Sequence, residues 1–215
     1  MTPSAVARNT SEARARLLGT ATEIFYAEGI HSVGIDRITA QAQVTRATLY
    51  RHFAGKEDLI LAYLDGADQG IRAQVAAARA GSASAAGQVR AVARSIVDGI
   101  RSPGFRGCAF LNAVAEYPDP AHPVHRAVLA HRQWFLDTVT ELLAAAAGVG
   151  GEDGTGEGDV PAGSAAAAGR HLVMLRDGAM AAGCLFDPEL VSETFLHGVE
   201  GVLREISGVP EETPS

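Results

Sequence analysis

Cysteine is scarce in this chain: 215 residues hold only Cys108 and Cys184, too few and too far apart to build a disulfide framework. Each stands among apolar residues at helical spacing, so both are expected as reduced, buried thiols. Long apolar runs are missing as well. No stretch approaches the ~20 residues that span a bilayer, and the amino terminus, MTPSAVARNTSEARAR, lacks the apolar centre of a signal peptide. A soluble, cytoplasmic protein without a membrane partner is expected. Also absent are a Gly-rich phosphate loop, a nucleophile elbow and a closed set of metal ligands. His122, His125 and His131 come nearest to a metal set, but Pro123 interrupts them and their spacing fits no zinc site. No cofactor, no metal and no enzymatic activity are therefore expected.

The hydrophobic fraction is 47%, enough for a substantial core. Net charge is -7, which taken alone argues against a nucleic-acid partner. Its distribution argues the reverse. Residues 1–56 carry seven cations against four anions, a balance of +3, and the remainder carries -10. A basic head on an acidic body suits a DNA-binding protein, because neutralising phosphates supplies much of the affinity.

The stretch GIDRITAQAQVTRATLYRHFAGK, from Gly34 to Lys56, reads as two short helices joined by a tight turn. Ile35, Ile38 and Ala42 mark the inner face of the first helix, and Leu49 and Phe53 that of the second. Thr45 is suited to cap the second helix, its hydroxyl accepting from a backbone N–H one turn on. The outward positions are then Arg46, Ala47, Tyr50 and Arg51, with Thr48 beside them and no carboxylate among them. Thr45 and Arg46 occupy the amino-terminal end of this helix, the part that enters a major groove, so they are the candidates for contact with base edges.

From about Arg14 to Leu64, roughly a quarter of the chain, the sequence resembles the DNA-binding region of the TetR family of transcriptional regulators. The likeness lies in Ala21, Phe25, Gly29, Ile38, Ala42, Val44, Thr48-Leu49-Tyr50, His52-Phe53, Lys56-Glu57 and Leu59. It implies that Tyr50, His52 and Lys56 touch phosphates, that the chain forms a homodimer, and that two heads read a palindrome-like operator in double-stranded DNA. Two positions depart from the pattern. Gln43 stands where the family has a turn glycine, which predicts a left-handed backbone at a residue with a side chain, and Gly34 stands where Ser or Thr caps the first helix.

An all-α fold is expected throughout: a three-helix helix-turn-helix head over residues 1–54 and a helical ligand-binding and dimerisation body over residues 55–215. Residues 1–8 read as a disordered arm, followed by a helix opening near Asn9 and stopped by Gly29. A fourth helix runs from Lys56 to about Arg79, a loop spans Ala80 to Gly87, and an apolar face continues through Ile100. Phe105 to Tyr117 and Pro123 to about Ala147 predict two more helices, Gly148 to Ser164 a mobile acidic loop, and Ala165 to Leu185 and Pro188 to Ser207 the last two. Aromatic walls with polar handles make Phe105, Phe110, Asn112, Glu116, Trp134 and Phe135 the candidates for a small-molecule pocket. The last two helices carry Leu172, Leu175, Ala179, Phe195, Val199 and Val202 as facing apolar positions, with glycines that permit close approach, and suggest a dimer seam. The expected function is a repressor released from DNA by a small molecule. The alternatives are a regulator with no such inducer and, with less support, a helical enzyme.

Overall fold

The computed structural model describes residues 5–148 and 162–208. Among these the elements are all α-helices: α1 (Ala5–Glu28), α2 (Ile35–Gln41), α3 (Arg46–His52), α4 (Lys56–Ala80), α5 (Ala85–Ile100), α6 (Ala109–Glu116), α7 (Pro123–Ala146), α8 (Ala162–Ala182) and α9 (Pro188–Ile206). The all-α expectation is met. None of the described helices is long and apolar enough to cross a membrane.

The chain divides into two compact units, Met1–Gln69 with Ala109–Ala130, and Gly70–Cys108 with His131–Ser215. The boundary expected at residues 54/55 lies inside the first unit, and α4 and α7 each contribute to both. In the first unit α1 buries Leu17, Ala21, Ile24 and Phe25, one apolar residue or pair per turn, and packs on both α2 and α3. Ile38 and Leu49 are wholly enclosed between the three helices. Gly29, at φ 89°, takes the left-handed conformation that closes α1, with its N–H donating to the Phe25 carbonyl at 3.1 Å.

In the second unit, one continuous core runs through Val92 and Val97 of α5, Phe135 and Val139 of α7, Leu172 of α8 and Phe195, Val199 and Val202 of α9. Asp187 caps α9 as its sequence predicts, accepting from the N–H groups of Glu189 at 2.8 Å and Leu190 at 3.2 Å. Gly183 marks a close approach: a Cβ there would stand 2.8 Å from an Ile100 methyl and 2.9 Å from the Phe105 ring.

Several boundaries differ from the sequence reading. Residues 5–8 belong to α1, so the helix starts before Asn9. Ser84 caps α5 by accepting from Gly87 N–H at 3.1 Å, which shortens the expected loop at Ala80–Gly87. The helix predicted from Phe105 begins only at Ala109, because Gly104 at φ 78° and Gly107 at φ 83° adopt a backbone that no α-helix contains. The acidic loop predicted from Gly148 to Ser164 lies mostly outside the described residues, and α8 begins at Ala162. Cys108 is buried as expected, but Cys184 is exposed, since α8 ends at Ala182 and leaves it in the following turn.

Candidate nucleic-acid interface

The α2–turn–α3 segment is held by backbone geometry more than by side chains. Gly34 caps α2 without a side-chain bond, as its lack of a hydroxyl requires. Gln43 adopts φ 55°, the left-handed conformation predicted for the turn, and Val44 N–H donates to the Thr39 carbonyl at 3.0 Å. Thr45 caps α3, its hydroxyl accepting from Thr48 N–H at 3.1 Å and lying 3.0 Å from the Thr48 hydroxyl. That oxygen is thus engaged by the helix itself. The remaining outward side chains at this corner are Arg46, Ala47 and Tyr50.

Arg46, Ala47, Tyr50 and Arg51 are exposed, Tyr50 to 53%, an unusual share for an aromatic residue with no apolar neighbour to cover it. Thr48 is half-buried. His52 is half-buried too, and its Nε2 is enclosed without a hydrogen-bond partner, so this ring turns inward beside the buried Phe53. Lys56 donates from Nζ to the Ile30 carbonyl at 2.6 Å. Partial burial lowers its pKa while the nearby Glu116 charge opposes that shift. An ammonium has three donors, so a phosphate contact from Lys56 is compatible with this bond.

Sequence reasoning missed one member of the site. Asp36, in the first turn of α2, reaches the outer face of α3 and takes Arg46 in a two-pronged ion pair through Nε and Nη2. The hydrogen bond from Arg46 chiefly, and its charge to a lesser degree, hold the Asp36 carboxyl below its ordinary value, against the opposing effect of desolvation. The signal that would have found Asp36 is the pairing of the N-terminal corners of two helices across a short turn, ten residues apart in sequence. Both partners are exposed, so water and salt screen the pair and Arg46 is released readily to a stronger acceptor. Arg37 makes a second fork of this kind with Glu28.

The pocket candidates do not converge. Asn112 lies on the exposed side of α6. Glu116 is taken by the turn after α1, its carboxylate accepting from Ile30 N–H at 2.7 Å and from His31 N–H. Phe110 is core of the first unit. Phe105 and Trp134 are half-buried in the second unit, where Arg72 stacks on the Trp134 ring at 4.1 Å. Of the six, only Phe135 lines the enclosed cavity of the second unit, about 10 Å³ bounded otherwise by Val92, Val139, Leu172, Phe195 and Arg176 among others. That space holds at most one water.

The seam candidates divide in a similar way. Leu172, Ala179, Phe195, Val199 and Val202 are buried by their own chain, which leaves them little surface to offer a partner. Other apolar side chains, on α8, on α9 and in the turn between them, are exposed instead. Met174 is 72% exposed and Phe186 64%, with Leu185 and Leu190 comparably bare, and an apolar groove of about 550 Å³ runs between Met174, Gly178, Phe186 and Leu190. Leu175 is partly buried and lines the groove.

Residues 17–63 match the family profile described as "Bacterial regulatory proteins, tetR family". The crystal structure of a TetR-family transcriptional regulator from Streptomyces coelicolor is 83% identical, superposes with a TM-score of 0.83, and shares 92% of this chain and 97% of its own. Among curated relatives, the HTH-type transcriptional activator FasR of Mycolicibacterium smegmatis is 43% identical over 53 residues, 25% of this chain and 24% of that protein. The HTH-type transcriptional regulator SrpR of Pseudomonas putida is 38% identical over 58 residues, 27% of each chain. These curated matches therefore span about a quarter of either relative.

Proposed function

Since this chain belongs to the TetR family of transcriptional regulators, we propose that it is a homodimeric repressor that reads a palindrome-like operator through α3 and leaves it when a small molecule binds the helical body. Residues 1–54 supply the DNA contacts in this reading, and residues 55–215 the effector site and the dimer seam. Arg46 and Ala47 meet base edges at the amino-terminal corner of α3, while Tyr50, Arg51 and Lys56 hold phosphates to either side and the inward-turned His52 ring supports them from beneath. Thr45 and Thr48 fix the corner, each hydroxyl within reach of the duplex.

The observation that carries the reading is the Tyr50 ring at 53% exposure beside Arg46 and Arg51, on a helix that buries Leu49 on its other face. An aromatic hydroxyl flanked by two guanidiniums is poor design for a bare surface and good design for a phosphate backbone. The homodimer is supported by the uncovered apolar groove on α8 and α9. Selection from a random duplex library is the direct test. Enrichment of two inverted half-sites one or more helical turns apart is the expected result; enrichment of a single unpaired half-site, or of nothing, defeats it.

One observation favours a second reading, a regulator with no small-molecule inducer. The enclosed cavity of the second unit, at about 10 Å³, admits no organic ligand as it stands. Effector binding consequently requires an expanded form of that unit, whose population sets the apparent affinity.

A further inference from the structure

Arg176, on α8, is 4% exposed, and DNA binding makes no use of it. Its guanidinium donates from Nη1 to Asp177 Oδ1 at 3.0 Å and from Nη2 to Cys108 Sγ at 3.4 Å, and lies 5.3 Å from the centre of the Phe135 ring. Its Nε is buried with no hydrogen-bond partner. Asp177 is not its own counter-ion. Arg132 takes both oxygens of that carboxylate, Nη1 to Oδ1 at 2.7 Å and Nη2 to Oδ2. Two guanidiniums thus share one carboxylate, with a thiol as the remaining neighbour, and the cluster keeps an excess of one positive charge at its most enclosed member. Burying a charge that lacks a full partner is costly, so such a group in a helical core points to a ligand that completes it.

The same Arg176 lines the enclosed cavity, whose other walls are apolar side chains, among them Val92, Phe135, Leu172 and Phe195. We infer that this cavity is the effector site and that it takes an organic monocarboxylate with an apolar tail. The carboxylate supplies the missing charge and accepts from the unpartnered Nε–H, and the tail lies between Phe135 and Leu172. A dianionic phosphate would overshoot the single excess charge and bring more oxygens than the free donor can satisfy. A cation or a neutral alcohol would leave the guanidinium as it is. Because the cavity now has room for one water at most, the ligand binds only when the walls of α5, α7, α8 and α9 part, and occupancy selects that expanded form. The inference rests on the small-molecule reading above and names the ligand class.

Octanoate, 1-octanol and octylammonium, each below its aggregation threshold, serve as probes for the full-length protein, read by calorimetry, thermal unfolding and the fluorescence of Trp134, the sole tryptophan. Octanoate is expected to bind saturably and raise the unfolding midpoint, at least tenfold more tightly than the other two. Arg176→Met should erase that preference while leaving the ligand-free midpoint unchanged or higher, because Asp177 keeps Arg132. Arg176→Lys, which retains the charge but not the Nε–H, should bind octanoate about tenfold more weakly and still prefer it to octanol. Cys108→Ala should bind octanoate at least as well as the parent. Equal binding of octanoate and octanol, or undiminished octanoate binding by both Arg176 variants, overturns the inference, as does the failure of every straight-chain acid from butanoate to decanoate to bind. Operator anisotropy on the same samples separates the two claims. Octanoate held through Arg176 without loss of operator affinity keeps this site and removes the release mechanism, whereas intact operator binding with no acid bound removes only the site.

Discussion

At the residue scale, the corner proposed to read DNA carries an ion pair that the free protein would have to give up on a duplex. Arg46 is forked on Asp36, and both are exposed. On a duplex, the guanidinium exchanges this carboxylate for base-edge or phosphate oxygens, and Asp36 is left facing a polyanion. Asp36→Ala should therefore tighten binding to any duplex and steepen its salt dependence, both measurable by anisotropy at two ionic strengths. The gain on unrelated DNA should match the gain on the operator, so affinity rises while the specificity ratio stays the same. The pair is not a pH switch near neutrality. Its hydrogen bond to Arg46 holds the Asp36 carboxyl below 3.8, so the carboxylate stays charged until the pH drops through that lowered value. Thr45, Arg46 and Tyr50 were legible as an outward face because helical periodicity assigns faces directly. Asp36 was not, because which corner of α2 meets α3 depends on the turn at Gln43, and a single non-glycine in the left-handed region does not reveal that angle.

The elements show where local pattern carries furthest and where it fails. Helices α1 to α4 were readable from spacing and stop signals, since each has a clear apolar stripe and Gly29 ends α1 in a conformation suited to glycine. The fault came at α6. An apolar run from Phe105 looks helical, but two glycines at positive φ delay the helix to Ala109, and composition does not say which glycines will turn left-handed. Glu116, at the end of α6, shows the consequence. Read as a pocket handle, it instead closes the turn after α1 through the N–H groups of Ile30 and His31. Glu116 is half-buried and His31 is exposed, so losing this charged acceptor from two N–H groups costs about 1 kcal/mol, the low end for such a loss; Glu116→Ala should lower the unfolding free energy by about that amount in urea titration, with Glu116→Gln recovering part of it. Within the second unit, α5 and α9 are joined by Arg90 donating to both oxygens of Glu200, at 2.7 and 2.8 Å. That hydrogen bond, chiefly, holds the Glu200 carboxyl below 4.5. A carboxyl whose folded pKa is depressed contributes stability that is complete above its unfolded value and is lost as the pH falls through the folded one. The unfolding midpoint should accordingly decline on acidification below about pH 4.5, and Arg90→Met should flatten part of that decline.

For the whole molecule, the sequence made plain that the chain has an all-helical fold with a basic head and acidic remainder, because charge partition and periodicity are sums over many residues. For the proposed dimer seam, the sequence pointed to two helices but not to which of their side chains stay uncovered. Leu172, Phe195, Val199 and Val202 sit on the stripe that packs inward, and a helix bearing two apolar stripes gives no sign from periodicity of which one its own chain will cover. The uncovered apolar side chains are Met174 on α8, Leu190 on α9, and Leu185 and Phe186 in the turn between them. Phe186→Glu should shift the sedimentation of the protein from dimer toward monomer without lowering the helicity of the chain, and should weaken operator binding by far more than one half-site's share, since two linked heads bind with an effective concentration that a single head lacks.

The central claim, that the amino-terminal corner of α3 lies against the duplex, is tested most directly by anisotropy of a labelled operator titrated with wild-type protein and with Arg46→Ala over a range of salt concentrations. The claim predicts about tenfold or greater weakening in the variant, together with a shallower dependence of log affinity on log salt. An affinity and a salt slope identical to those of the wild type would contradict it.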